Sequence, residues 1–103
     1  MTPSYRLSKM AQKDTRNIGR YTQKKWGAAQ RRLYLSGMEQ KFIQLAENPK
    51  LSPERAEFEP PVRIYHFEKH LIIYVGENSG ILVVRVLHES MDVPTHISNR
   101  RSS

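Results

Sequence analysis

Residues 81–88 read Ile81-Leu82-Val83-Val84-Arg85-Val86-Leu87-His88, a β-prone run in which apolar side chains do not alternate with polar ones. A strand of this kind is apolar on both faces for most of its length, so it is covered on both faces and occupies a central position in its sheet. One neighbour comes from just upstream. Residues 62–67 and 70–75 are rich in β-branched and aromatic side chains, and Glu68-Lys69 and Glu77-Asn78-Ser79-Gly80 separate the runs as turns, which predicts an antiparallel three-stranded meander over 62–88. The other edge of 81–88 needs a strand from elsewhere, and Tyr5-Arg6-Leu7 is the only β-prone stretch left.

Between these pieces lie two helical segments. Ser8 has the side-chain oxygen of an N-cap, and 9–25 follow with Ala11, Ile18 and Tyr21 on one side and Lys9, Lys13, Arg16, Arg20 and Lys24 on the other. Trp26-Gly27 ends that helix, because glycine tolerates the left-handed conformation that stops one. A second helix is expected over 28–47, with Ala29, Leu33, Met38, Phe42 and Leu45 on its apolar stripe and Asn48-Pro49 as its stop. So short a connection implies an antiparallel helical hairpin. Residues 48–61 hold four of the six prolines together with Glu54, Glu57 and Glu59, and are expected as a loop. The fold class is therefore α+β, in the order β-α-α-β-β-β, with the hairpin packed on a small antiparallel sheet. A single domain is expected over 1–97, followed by a polar tail at 98–103.

A chain of 103 residues without cysteine has no disulfide scaffold, no cysteine-based zinc site and no thiol chemistry, and the cytoplasm is its expected compartment. Its apolar runs fall short of the roughly 20 residues a membrane helix requires. The histidines His66, His70, His88 and His96 lack the helical or cysteine-supported framework of a metal site, so neither metal nor cofactor is expected. The net charge of +7 is unevenly placed: residues 1–32 carry nine basic side chains against one acid, Asp14. Five of those cations form the one-sided ridge on the first helix with no interleaved glutamate. Their mutual repulsion suggests an acidic partner.

The series Leu7-Ser8, Ala11, Asp14, Ile18, Tyr21-Thr22, Trp26-Gly27 and Ala29, then Leu45-Ala46-Glu47-Asn48-Pro49, Arg63, His70, Tyr74 and Arg85-Val86-Leu87-His88 with Met91-Asp92, resembles the ParE toxins of the RelE/ParE superfamily. The resemblance runs over about 5–97. It implies the fold just derived and a toxin of a bacterial type II toxin–antitoxin module, held inactive by an acidic ParD-like antitoxin. It also implies DNA gyrase, a type IIA topoisomerase, as the target, reached by binding and without enzymatic activity. Neither a membrane nor sequence-specific nucleic acid is an expected partner. RelE relatives instead cut messenger RNA in the ribosome, and one scaffold carries both activities.

A metal-free ribonuclease needs a base, a cluster of cations and an acid around the scissile phosphate. The sheet offers Arg63, His70, Arg85 and His88, with Tyr65 and Tyr74 near them in sequence. Against that reading, residues 88–96 contain no tyrosine to serve as terminal acid, and Glu89 and Asp92 would repel phosphates. A RelE-like ribosome-dependent endoribonuclease is thus the alternative, and a degenerate toxin that only binds antitoxin is a second. The candidate target contacts are Arg63, His70, Arg85, His88, Met91 and Asp92. The candidate antitoxin contacts are Lys9, Lys13, Arg16, Arg20 and Lys24 with the leftover apolar residues Tyr34, Leu35 and Ile43. Ordinary structural roles compete for several of these: Arg85 in an apolar strand suits a buried carboxylate partner, and His70 and His88 suit framework hydrogen bonds. Tyr21, Trp26 and Phe42 are expected to pack in the core or the hairpin.

Overall fold

The computed structural model describes residues 3–97, so the tail expected at 98–103 lies outside the described residues. The elements are β1 (Ser4–Leu7), α1 (Lys9–Trp26), α2 (Ala28–Glu47), a 3-10 turn (Pro49–Leu51), β2 (Glu54–Arg55), β3 (Val62–Phe67), β4 (His70–Glu77), β5 (Gly80–His88) and α3 (Val93–Ile97). The strands form one sheet in the order β1-β5-β4-β3-β2, so β5 has neighbours on both edges as its composition requires. On one face Ile81, Val83 and Val86 pack with Ile72 and Tyr74 beneath Ala11, Met38, Phe42 and Leu45 of the hairpin. On the other, Leu87 and Ile73 lie with Val62 under Phe58 and Ile97.

The sheet is mixed rather than wholly antiparallel, because β1 pairs parallel to β5 with Ser4 opposite Gly80 and Leu7 opposite Val83. Chain direction explains it. From β1 the chain continues through α1 alongside β5, where Asp14 meets Val86, and α2 brings it back to Tyr5, whose hydroxyl donates to Glu39 at 2.8 Å. β3 and β5, the first and third strands of the meander, then run in the direction of β1. Burial, reinforced by the hydrogen bond and charge of Glu39, pushes the Tyr5 phenol up to about 12.

β1 covers β5 only as far as Val83, and Ser8, the N-cap of α1, together with Asp14 within that helix satisfies the backbone beyond. The Ser8 N–H donates to the Val83 carbonyl at 3.0 Å. Ser8 Oγ donates to the Val84 carbonyl at 2.7 Å and accepts the Ala11 N–H at 2.9 Å, so it caps the helix as expected while closing the strand edge. A register shift opposite Ile73/Tyr74 makes Val84 the extra residue of β5. That extra residue is why Val83 and Val86 share the helix-facing core while Val84 and Leu87 share the other.

The expected loop at 48–61 contains the 3-10 turn and β2, a two-residue edge strand that pairs Glu54 with Arg63 and Arg55 with Val62. Prolines confine it to that short edge position. α3 was not legible from the sequence. Asp92 accepts from the Thr95 hydroxyl and the Thr95 N–H at its start, and Val93 and Ile97, one turn apart, cover the far face of the sheet.

Candidate functional site

Fully buried positions in the hairpin stop at Thr22 on α1 and begin again only at Met38 on α2. Residues 23–33 therefore form a tip that reaches past the core. Gly27, at φ 98°, makes the reversal with a single residue between the helices. Tyr21 and Trp26, expected as packing residues, are 60% and 66% exposed, because the helix outruns the sheet at the point where their side of it turns inward. Only Phe42 of the three expected packing aromatics is in the core.

The tip overhangs the C-terminal end of β5 and encloses a cleft of about 450 Å³. α1 contributes Tyr21, Lys25 and Trp26, and α2 contributes Tyr34. The β3–β4 turn adds Lys69 and His70, and the end of β5 adds His88 and Glu89. Lys25 Nζ donates to the Tyr21 hydroxyl at 3.2 Å and lies 5.6 Å from the centroid of the Trp26 ring, within cation–π range of it.

His70 and His88 face each other across β4 and β5, their rings edge to face at 5.4 Å. Tyr34 Oη accepts the Lys69 N–H at 3.4 Å and shares a 2.6 Å hydrogen bond with His70 Nδ1. His88 Nδ1 accepts the Ser90 N–H at 3.1 Å, which places that ring's proton on Nε2. Burial, with His88 beside it, lowers His70 to about 4, while Glu89 and Asp14 pull weakly the other way. Unfolded, the same group titrates near 6.5, so between the two values the unfolded chain binds more protons. This contribution to stability is complete above pH 6.5 and is lost as the pH falls toward 4. Urea midpoints at about pH 7.5 and about pH 4.5 should differ less in His70→Gln than in the parent chain.

The other candidate target contacts do not join this pair. Arg63 stands opposite Tyr74 on β4, four positions or about 13 Å along the strand from His70. Its guanidinium donates to the Ser52 carbonyl at 2.7 Å, and Tyr74 donates to the Pro49 carbonyl at 2.8 Å, so the two together hold the 3-10 segment on the sheet. Arg85 makes a two-pronged ion pair with Asp14, at 2.8 and 3.0 Å, in line with the carboxylate partner its apolar strand suggested. The Asp92 carboxylate accepts from the Thr95 hydroxyl at the start of α3. Met91 is exposed beside Val93 and Pro94, in a shallow depression on the opposite face of the sheet from the cleft. Among the described residues no three acidic or histidine side chains cluster as a metal site. No helix is long and apolar enough to cross a membrane.

The family model for the ParE toxin of the type II toxin–antitoxin system, parDE, matches residues 5–93, a span that takes in the hairpin, the sheet and the cleft. The chain belongs to the ParE toxin family. It is 37% identical over 98 residues to Toxin ParE of Escherichia coli, an alignment covering 94% of this chain and 95% of that one. To Toxin ParE1 of Mycobacterium tuberculosis (strain ATCC 25618 / H37Rv) it is 32% identical over 98 residues, covering 94% of this chain and all of the relative. Toxin ParE1 of Caulobacter vibrioides is 29% identical over 94 residues, covering 90% and 96%.

On the outer side of this ParE chain, Lys9, Lys13, Arg16, Arg20 and Lys24 are all exposed, and none takes part in the ion pairs found among the described residues. An apolar furrow between α1 and α2, floored by Leu35, Met38 and Phe42, runs between Arg16 and Arg31. A second hollow on α2 exposes Leu33 beside Arg31 and Arg32. The apolar candidates sort differently from expectation. Ile43 is exposed, but Tyr34 and Leu35 are half-buried against the core, and Leu33, assigned to the buried stripe, is 69% exposed. Arg31, Arg32 and Leu33 are the surface residues that the helical count missed. Their signal lies in the hairpin length: a helix of 20 residues, about 30 Å long, cannot be buried throughout on so small a sheet.

Proposed function

We propose that this ParE-family chain acts by binding, not by catalysis: it engages DNA gyrase in the cytoplasm and is neutralised when the acidic segment of a ParD-like antitoxin covers its helical hairpin. The observation that carries this reading is the match to the ParE toxin model over 5–93, together with nearly end-to-end alignment to relatives named as ParE toxins. Two further observations support it. Both sheet arginines that a ribonuclease would need for a charged phosphorane, Arg63 and Arg85, are engaged by structural acceptors. The unpaired ridge and the furrow beside it also combine cations with apolar floor, which suits an acidic amphipathic segment that folds as it binds.

The test compares two assays on one preparation, gyrase supercoiling with cleavage-complex formation and messenger-RNA cleavage on translating ribosomes. Gyrase inhibition with intact message is expected. Message cleavage with unaffected gyrase would assign the RelE-like activity, and silence in both assays with tight antitoxin binding would leave only sequestration. For the antitoxin surface, Arg16→Glu with Arg20→Glu should weaken binding about tenfold or more at low salt and flatten its salt dependence, as read by calorimetry between about 50 and 300 mM salt. Unchanged affinity would return the ridge to plain solvated surface.

A further inference from the structure

We propose that the cleft under the hairpin tip is a binding site for a phosphorylated nucleoside, taken either free or as one unit of a single strand. The inference stands independently of the gyrase reading. Its first ground is what the walls are made of. Tyr21, Trp26 and Tyr34 supply rings, while Lys25, Lys69 and the histidine pair supply donors, and no aliphatic side chain lines the cleft. A peptide anchors itself through aliphatic or aromatic side chains in apolar pockets, and this chain has such surface elsewhere, in the Leu35–Met38–Phe42 furrow. Rings interleaved with cations instead suit a planar base that stacks and a phosphate that pairs with ammonium groups.

The second ground is exposure and preorganisation. Trp26 and Tyr21 leave most of their surface in water, and Lys25 donates to the Tyr21 hydroxyl at 3.2 Å while standing at cation–π distance from Trp26, so rings and charge already form one unit. His70 and His88 each have Nδ1 engaged within the fold, with the Tyr34 hydroxyl and the Ser90 N–H. Nε2 is therefore the ring nitrogen each has left for a ligand, and His88, whose Nδ1 is an acceptor, presents it as an N–H that suits phosphate or base oxygens. Glu89, the one carboxylate at the rim, is held at 2.8 Å by His66 Nε2. A volume of about 450 Å³ falls within the range of small-ligand clefts and accommodates one nucleotide unit.

Trp26 is the only tryptophan in the chain, so its emission reports on the cleft directly. The probes are AMP, adenosine, inorganic phosphate, a hexadeoxyadenylate and a glutamate-rich peptide, each titrated into the full chain at low salt. AMP or the hexanucleotide should quench Trp26 saturably, with adenosine and phosphate alone much weaker. By calorimetry, Trp26→Phe should retain binding and Trp26→Ala should weaken it about tenfold or more. Lys69→Ala should weaken it several-fold, while the charge-matched Lys50→Ala, on the distant 3-10 turn, leaves it unchanged. Equal affinity for AMP and the hexanucleotide assigns the site to a free nucleotide, and tighter, AMP-competed binding of the hexanucleotide assigns it to a strand. No saturable quenching by either at about 5 mM, a concentration that exposes even millimolar affinity, would overturn the proposal. So would equal quenching by the acidic peptide, or equal losses in Lys50→Ala and Lys69→Ala.

Discussion

Asp14→Ala will destabilise the protein by about 3–5 kcal/mol, a large share of the roughly 5–15 kcal/mol that holds a small domain folded. The carboxylate accepts three hydrogen bonds: Arg85 Nε at 2.8 Å, Arg85 Nη2 at 3.0 Å and the Val86 N–H at 3.0 Å. The Arg85 and Asp14 side chains are only 15% and 12% exposed, so water screens the pair little. Alanine leaves a half-enclosed guanidinium without a counter-charge and a strand N–H without an acceptor, at the point where β1 no longer covers β5. Removing both charges is a different perturbation. Asp14→Ala with Arg85→Met should recover much of the loss, because no buried charge is then stranded. Urea denaturation of the two single variants and the double variant gives the coupling, and a loss below about 1 kcal/mol in Asp14→Ala would place the pair with ordinary surface ion pairs.

Gly80→Ala will detach β1. At φ 146° the residue has a backbone conformation that L side chains rarely adopt, and a Cβ there would lie 1.6 Å from the Ser4 carbonyl oxygen. The obstacle is backbone, and it is pinned, since the Ser4 N–H donates to the Ser79 carbonyl at 2.8 Å and Ser4 pairs with Gly80 in the parallel ladder. No side-chain rotation relieves the clash, so β1 must leave β5 and uncover the core that Tyr5 and Leu7 help close. The expected cost exceeds about 3 kcal/mol, with amide exchange at Ser4–Leu7 rising before the rest of the chain. Gly76 in the same hairpin is the control. A Cβ there meets nothing within 4 Å, and Gly76→Ala should be neutral or slightly stabilising. Equal midpoints for the two variants would show that β1 contributes little to the fold.

Residues 81–88 made the sheet legible because a strand apolar on both faces has one kind of position available to it, and β5 occupies that position. The same run predicted a carboxylate for Arg85 but not which one, since Asp14 lies 71 residues away and only the folded chain brings them together. Reading the hairpin by periodicity failed at its tip for a geometric reason. The count assumes that a helix has core beneath its whole length, whereas Tyr21, Trp26 and Leu33 sit where the buried surface has ended. The cleft is hidden for the same reason: periodicity assigns Tyr21 and Trp26 to packing and leaves Tyr34 to the antitoxin surface, and Lys25, Lys69 and Glu89 belong to three elements that no spacing connects. α3 lies inside the expected domain but gives little helix signal, since it spans five residues and contains Pro94, and only the turn-spaced pair Val93/Ile97 marks it.

The parallel pairing of β1 with β5 also bears on when the toxin comes into being. Ser4 finds its ladder partner in Gly80, and Asp14 finds its own in Arg85 and Val86. β1 must therefore wait for β5, because N-terminal segments emerge long before their C-terminal partners. A prematurely ended product that stops in the β4–β5 turn would have a helical hairpin with no central strand beneath it and a β1 with nothing to pair with. Assembly is thus tied to the synthesis of β5, and a product interrupted before it cannot build the finished surface.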